Sequence, residues 1–302
     1  MSSGLKDKVV VITGAGRGIG REHALYLARC GARLVVNDLG GGGDGSGRDA
    51  GAAQTVADEI GALGGSAVAD TSDVSDTAGA EQLIGTAVET YGQLDALINN
   101  AGVLRDRTLV SMTDEDWDTS IRVNLRGVFA PARAAARHWR ERSKAGEQVA
   151  AAIVNTSSES GVFANAGQSN YAAAKAGVAA LTEVWHKELG RYGVRVNGIL
   201  PRARTRLTEA MLGQPREGRF DKWDPANVSP MVAYLVSDDC TFSGQIFLAA
   251  GAVFQRVTPW SLDPDWRVSG EGRWDSGDLA EAVRAMPAPA NTGRDTGTVP
   301  SK

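Results

Sequence analysis

Cysteine is scarce in this chain. Cys30 and Cys240 are the only two, they stand far apart, and no Cys-x-x-Cys occurs. That excludes a disulfide framework and fits buried thiols in a reduced, cytoplasmic protein. Histidine is nearly as rare. His23, His138 and His186 form no metal-ligand spacing, so no metal site is expected. Long hydrophobic runs are lacking too. The apolar stretch in "MSSGLKDKVVVITG" is too short for a signal core and too short to span a bilayer. No targeting signal and no membrane span are expected. There is no excess of positive charge either: 32 Lys and Arg face 36 Asp and Glu, for a net charge of −4. No basic stripe suggests nucleic acid, and no basic amphipathic helix suggests a membrane surface.

What is present is an alternation of strands and helices. "KVVVIT" is a short apolar, β-branched run, as in a buried strand, and "IGREHALYLARCG" follows as a helix ended by Gly31. Strands follow at "RLVVND", "SAVAD", "LDALINN", "AAIVNTS", "VRVNGIL" and "GQIFLAA". Between them lie helices over about 50–63, up to Tyr91, from about Asp114 into "HWRER", through "YAAAKAGVAALTEVWHKEL", and at "SPMVAYLVS". This order predicts an α/β fold: a single doubly wound Rossmann-type domain over residues 1–258, with a seven-stranded parallel sheet. Residues 259–302 read as a tail. "DLAEAVRAM" suits one short helix, and "ANTGRDTGTVPSK" is expected to be disordered.

Two glycine-rich stretches compete for a phosphate. "NDLGGGGDGSGRDAG" holds a G-x-G-x-x-G match at Gly40, Gly42 and Gly45. "TGAGRGIG" places Gly14, Gly18 and Gly20 between the first strand and its helix, with Arg17 and Ile19 among them. Position decides. Such a sheet binds ligands at the carboxyl ends of its central strands, where a helix N-terminus offers free N–H groups to a pyrophosphate. An acidic residue about 20 positions further on should reach the ribose hydroxyls. Asp38 follows Gly18 by 20 residues and ends the second strand. The cradle is therefore assigned to Gly14, Arg17, Gly18, Ile19 and Gly20. Glycines 40–45 are expected to be a mobile loop without phosphate contacts. A carboxylate at Asp38 accepts from a ribose 2′-OH and repels a 2′-phosphate, which favours NAD over NADP.

Tyr171 and Lys175 are four residues apart and share one helix face. A phenol titrates near 10 by itself, too high for a base at neutrality. A neighbouring ammonium favours the phenolate. A hydroxyl beside it could hold a substrate oxygen, and Tyr171 would then take an alcohol proton as hydride leaves to a nicotinamide.

"TGAGRGIG", "NNAG" at Asn99–Gly102, Asn124 in "VNLRG", "SSESG" from Ser157 and "YAAAK" occur in one order. With them, residues 6 to 255 resemble the short-chain dehydrogenase/reductase family. The resemblance implies catalytic roles for Asn124, Ser158, Tyr171 and Lys175. The family's serine lies 13 residues before its tyrosine, which selects Ser158 over Ser157. Lys175 would also bind the nicotinamide ribose. Asn124 would anchor a proton-relaying water, or serve as a structural helix asparagine, or both. Asp73, with Val74 beside it, would hold the adenine amino group. Asn100, with Ala101 and Gly102, would contact the cofactor or tie the fourth strand to the core. Ile199 would approach the nicotinamide by its backbone. Pro201 would form the turn after the sixth strand, and Thr205 would reach the carboxamide. One departure stands out: the family's Pro-Gly is here Pro201-Arg202.

"NDLGGG", "LRDRTL", "DEDWD", "VNLRGVF" and "GVFANAGQSNY" resemble a narrower branch, the (3R)-hydroxyacyl-CoA dehydrogenase unit of the peroxisomal multifunctional enzymes type 2, also described as a 17β-hydroxysteroid dehydrogenase. That implies oxidation of a secondary hydroxyl on an acyl-CoA or steroid with NAD as acceptor, in a homodimer or homotetramer. The ending "PSK" is not a peroxisomal Ser-Lys-Leu signal. The alternatives are a 3-oxoacyl thioester reductase of lipid synthesis and a non-catalytic cofactor-binding protein. Asp38 argues against the first, and the complete catalytic set argues against the second. Residues 203–226 should face the substrate. They mix Leu207, Met211, Leu212, Phe220 and Trp223 with Arg204, Arg206, Arg216, Arg219 and Lys222. That is either an apolar cleft with a cationic mouth for CoA phosphates or a solvated helix face.

Overall fold

The computed structural model describes residues 3–206, 208, 212, 218–258, 260–262, 267–269, 272–273 and 275–286. Leu207, Met211, Arg216 and the stretch 287–302 lie outside the described residues. The chain divides into two compact units, Met1–Val257 and Thr258–Lys302.

The first unit is built on one sheet. Its strands are β1 (Val9–Thr13), β2 (Arg33–Asn37), β3 (Ser66–Asp70), β4 (Ala96–Asn99), β5 (Ala151–Thr156), β6 (Val194–Arg202), β7 (Ile246–Ala250) and β8 (Val253–Val257). They lie in the order β3-β2-β1-β4-β5-β6-β7-β8. The seven strands read from sequence are all present and parallel. An eighth strand is added, antiparallel to β7 across a tight turn at Gly251 and Ala252. β8 carries no buried stripe, so hydrophobic alternation had nothing to report there.

β1 is buried at every position. Its residues alternate between two cores, as the two-residue period of a strand requires. Val10 and Ile12 pack with one cluster, Val9 and Val11 with the other. Helices α1 (Gly18–Arg29), α2 (Gly51–Ala62) and α8 (Ser229–Val236) cover the first face. Helices α3 (Thr77–Tyr91), α5 (Gly127–Lys144) and α7 (Ser169–Leu189) cover the second. Burial on both faces is why these strands read as continuous apolar runs.

The strand order reverses between β1 and β4. That switch point opens a crevice at the carboxyl ends, where Thr13, Asn37, Asn99, Thr156 and Arg202 end their strands. The expected long helix from Asp114 has a break in it. α4 (Asp114–Ile121) passes through a π-helical segment, Arg122–Arg126, into α5. A short helix, α6 (Glu159–Phe163), precedes α7. In the second unit, α9 (Ser276–Arg284) is the helix anticipated at "DLAEAVRAM". Its first turn is capped by Asp275, which accepts from Gly277 N at 2.7 Å and Asp278 N at 3.0 Å.

Candidate active site

A cleft of about 560 Å³ opens at the switch point and is lined by most of the candidate residues; Asn124 and Ile199 lie buried behind its lining. Gly14, Arg17, Gly18, Ile19 and Gly20 form one end, with Asp38 beside them. Gly14 turns at φ +64°, and a Cβ there would stand 2.7 Å from Ala101 Cα. A Cβ on Gly20 would stand 2.2 Å from the Gly14 carbonyl oxygen. Neither tolerates a side chain, so the loop hugs the start of α1. Arg17, at the N-cap of α1, makes no side-chain cap. The first-turn N–H groups are left for an anion. This cradle fits a dinucleotide pyrophosphate.

Asp38 lies just beyond the end of β2, on the wall of the same cleft. Its Oδ2 accepts from Gly16 N at 2.8 Å and its Oδ1 from Gly40 N at 2.7 Å. A carboxylate has about four acceptor sites, so two backbone bonds leave capacity for two hydroxyls. The Arg17 guanidinium pairs with Asp49 at 2.5 Å, so its charge already has a partner within the protein.

The glycine stretch after Asp38 is folded. Gly42 N donates to Ser46 O at 2.6 Å and Gly45 N to Gly42 O at 3.0 Å. Gly43 O accepts from Leu104 N at 2.8 Å, and Asp44 O from Arg105 Nε at 2.8 Å. The loop expected to be mobile is thus pinned to the segment after β4. The N–H groups of Gly42 and Gly45 are spent inside its own turns.

Asn100 ties β4 to β1. Its amide nitrogen donates to the carbonyls of Thr13 and Gly14 at 3.1 and 3.0 Å. Its backbone N–H and that of Ala101 both reach Thr13 Oγ1. Of the two readings held for Asn100, the structural tie is the one its side chain makes. Asp73 Oδ1 accepts from Ser75 N and Oγ at 2.9 and 2.6 Å, and Oδ2 lies 3.6 Å from Arg122. Val74 and Gly102 line the same cleft.

At the other end, Ser158 caps α6 in an extended conformation, and its Oγ accepts from Ser160 N at 3.2 Å. Its hydroxyl shares the cleft with the Tyr171 phenol and favours the phenol's ionised form. Ser157 is turned away into the structure, where its Oγ donates to Lys175 O at 2.7 Å and its N–H to Ile199 O at 2.8 Å. Lys175 is buried and donates from Nζ to Thr156 O at 2.8 Å. Burial lowers its pKa to about 8. The Tyr171 phenol is pushed up to about 12, first by burial, with the Asp106 charge adding and the Ser158 hydrogen bond opposing. The lowering expected from Lys175 does not appear, and the phenol is shifted upward instead. The ring as a whole is only half-buried, so solvent softens the rise.

Asn124 lies within the π segment, fully buried. Its side chain accepts from Val103 N and donates to Val103 O, both at 3.0 Å, and donates to Ser120 Oγ at 3.1 Å. A π segment breaks the regular i−4 ladder and often marks a functional position. Pro201 and Thr205 close the cleft. Thr205 N donates to Thr208 Oγ1 at 2.9 Å, and its methyl lies where a Gly18 Cβ would come within 3.6 Å. Among the described residues no group of His, Cys, Asp and Glu is placed to hold a metal.

Residues 8–212 match the family model for short chain dehydrogenases. The chain belongs to the short-chain dehydrogenase/reductase family. It is 42% identical over 290 residues to hydroxyacyl-CoA dehydrogenase ChsB1 of Mycobacterium tuberculosis, covering 93% of this chain and 88% of that protein. It is 40% identical over 240 residues to peroxisomal multifunctional enzyme type 2 of Mus musculus, covering 80% of this chain and 31% of the mouse protein. A solved short chain dehydrogenase from Mycobacterium avium superposes with a TM-score of 0.84 at 46% identity, covering 94% and 95% of the two chains.

As a short-chain dehydrogenase/reductase the chain is an oxidoreductase acting on CH–OH groups with a nicotinamide cofactor. Sequence reasoning missed two arrangements around Ser158 of this dehydrogenase. Gln168 donates from Nε2 to Asp106 at 2.7 Å and accepts from Ser160 Oγ at 2.7 Å, which links Asp106 to the Ser158 turn. On the other side, Arg202 grips Glu159 with two nitrogens, Nε on Oε2 and Nη2 on Oε1. Arg202 departs from the family's glycine in the sequence, and no local signal there names its partner 43 residues away. The arginines expected to face substrate differ in their surroundings. Arg204 pairs with Asp221, while Arg206 is exposed and lines the cleft.

Proposed function

We propose that this dehydrogenase oxidises the secondary hydroxyl of a 3-hydroxyacyl-CoA or a hydroxysteroid, with NAD as the acceptor. The observation that carries the chemistry is the gathering of Ser158, Tyr171 and Lys175 in the same cleft as the glycine cradle. Bound NAD supplies the hydride acceptor. Ser158 Oγ holds the substrate oxygen beside the phenol. Tyr171 Oη takes the alcohol proton as the carbonyl forms. Lys175 keeps a cation near the phenolate and offers its remaining N–H groups to the nicotinamide ribose. Asn124, whose side chain ties the break in the helix to Val103 and Ser120, would order a water for proton relay to Lys175. Asp73 and Val74 take the adenine end, and Thr205 with the Pro201 turn takes the carboxamide end.

NAD is favoured over NADP by the Asp38 carboxylate and by Arg17 being paired with Asp49. A 2′-phosphate would meet the Asp38 carboxylate in that corner. This weighs against a reductase of lipid synthesis drawing on NADPH. The substrate class is supported by the names of the relatives, ChsB1 and the peroxisomal multifunctional enzyme. It is also supported by the apolar walls Val103, Leu104, Leu212 and Trp223, with Arg206 at the opening. The test is NADH formation against a panel of (3R)- and (3S)-hydroxyacyl-CoAs, short and long, and 17β-hydroxysteroids. Turnover is expected on one class. Activity on none would overturn the substrate assignment.

An assembly of two or four copies completes the proposal. An apolar groove runs between the π segment with α5 and α7, lined by Leu125, Phe129, Ala180, Leu181 and Val184. Phe129 and Val184 stand 37% and 45% exposed there. These are the helices that follow Asn124 and carry Tyr171.

A further inference from the structure

Arg202 stands where the family expects glycine, and Glu159 stands next to Ser158. Their contact has a structural logic. β5 and β6 run parallel in register with Thr156 opposite Ile199, the last pair. Counting on from that pair, Glu159 and Arg202 occupy matching positions beyond the end of the β5–β6 ladder. Where backbone pairing stops, a side-chain pair continues the link.

The two ends differ in firmness. Arg202 remains paired to Ala250 of β7 through its backbone, so it stands on a fixed base. Glu159 begins α6, a helix of five residues. So short a helix has no stability of its own. It needs an outside anchor, and the two-pronged guanidinium–carboxylate contact supplies one with a fixed geometry. The pair is sheltered, with side chains 13% and 22% exposed, and both residues line the cleft. A sheltered pair is screened less than one in open solvent.

We propose that Arg202 is a positioning residue for Ser158: through Glu159 it fixes the turn that aims the Ser158 hydroxyl at Tyr171. This rests on the assignment of Ser158 as the hydroxyl that holds the substrate oxygen. Asp106, Gln168 and Ser160 brace the same turn from the opposite wall. Glu159 and Arg202 brace it from the β6 side.

The test compares Arg202→Gly and Arg202→Lys with the wild-type chain by two independent readouts. The first is amide hydrogen exchange over residues 157–163, which needs neither substrate nor cofactor. Arg202→Gly is expected to speed exchange there about tenfold or more, with α7 unchanged. The second is steady-state kinetics beside NADH binding. Arg202→Gly is expected to lower kcat about tenfold while the NADH Kd moves less than about twofold. Lys keeps the charge but loses the planar fork, so Arg202→Lys should fall between. The proposal is overturned if Arg202→Gly exchanges like wild type, or if its loss appears in the NADH Kd as fully as in kcat. Failure of the Ser158 assignment is recognised separately: Ser158→Ala would then keep wild-type turnover, whatever the exchange data say.

Discussion

Lys175 Nζ lies 5.7 Å from the centre of the Tyr171 ring and donates to the Thr156 carbonyl oxygen. The cation is close enough to act on the phenol, yet its own proton is held loosely because it is buried. Its pKa falls from the usual 10.5 to about 8. Between those two values the unfolded chain binds more protons at this site than the folded one. Stability therefore rises with pH over that window as the cost of burying the ammonium is relieved. Lys175→Met removes the titration. Its stability relative to wild type should decline from pH 8 to pH 10.5, by at most about 3 kcal/mol. Urea unfolding of both proteins across that range checks it. A difference independent of pH would show that Lys175 is not perturbed.

The same variant should also change the activity profile. In the proposed mechanism the Lys175 cation favours the ionised phenol, and this variant lacks it. The rise of kcat with pH should move upward by about one unit or more. An unmoved profile would separate Lys175 from proton transfer.

Asp38→Asn keeps the side-chain size but removes the charge and one acceptor. The ratio of kcat/KM for NAD over NADP should fall about tenfold or more, the scale of a lost charged hydrogen bond. Paired kinetics with the two cofactors check it. A wild-type preference for NADP would contradict the reading of Asp38 directly.

Much of this was legible in the sequence because the relevant constraints are local. Gly14, Gly18 and Gly20 must follow one strand, and Tyr171 and Lys175 must share one helix turn. Such spacings survive in one dimension. The break at Asn124 was not legible, since a π turn and an α turn accept the same residues. The pinning of Gly43 to Leu104 depends on strand order, which brings the loops after β2 and β4 together over β1. The Glu159–Arg202 clamp depends on the register of β5 against β6. Arg202 announced itself only as a residue out of place.

The groove holding Phe129 and Val184 should close in an assembly. Val184→Glu would place an unpaired charge in that apolar contact. Sedimentation of this variant should show loss of the assembled species at concentrations where wild type is intact, a cost of several kcal/mol per buried charge. A monomeric wild-type protein would contradict the assembly proposal and leave the catalytic account standing.

The central claim is that Tyr171 Oη receives the substrate proton, and Tyr171→Phe tests it most directly when turnover and NADH affinity are measured on the same preparation. In the proposed mechanism the phenol works on the substrate oxygen beside Ser158, while the glycine cradle, Asp38 and Lys175 hold the cofactor. Turnover should fall roughly 10²–10⁴-fold, with the NADH Kd changed by no more than about threefold. Turnover within a few-fold of wild type would show that the proton goes elsewhere.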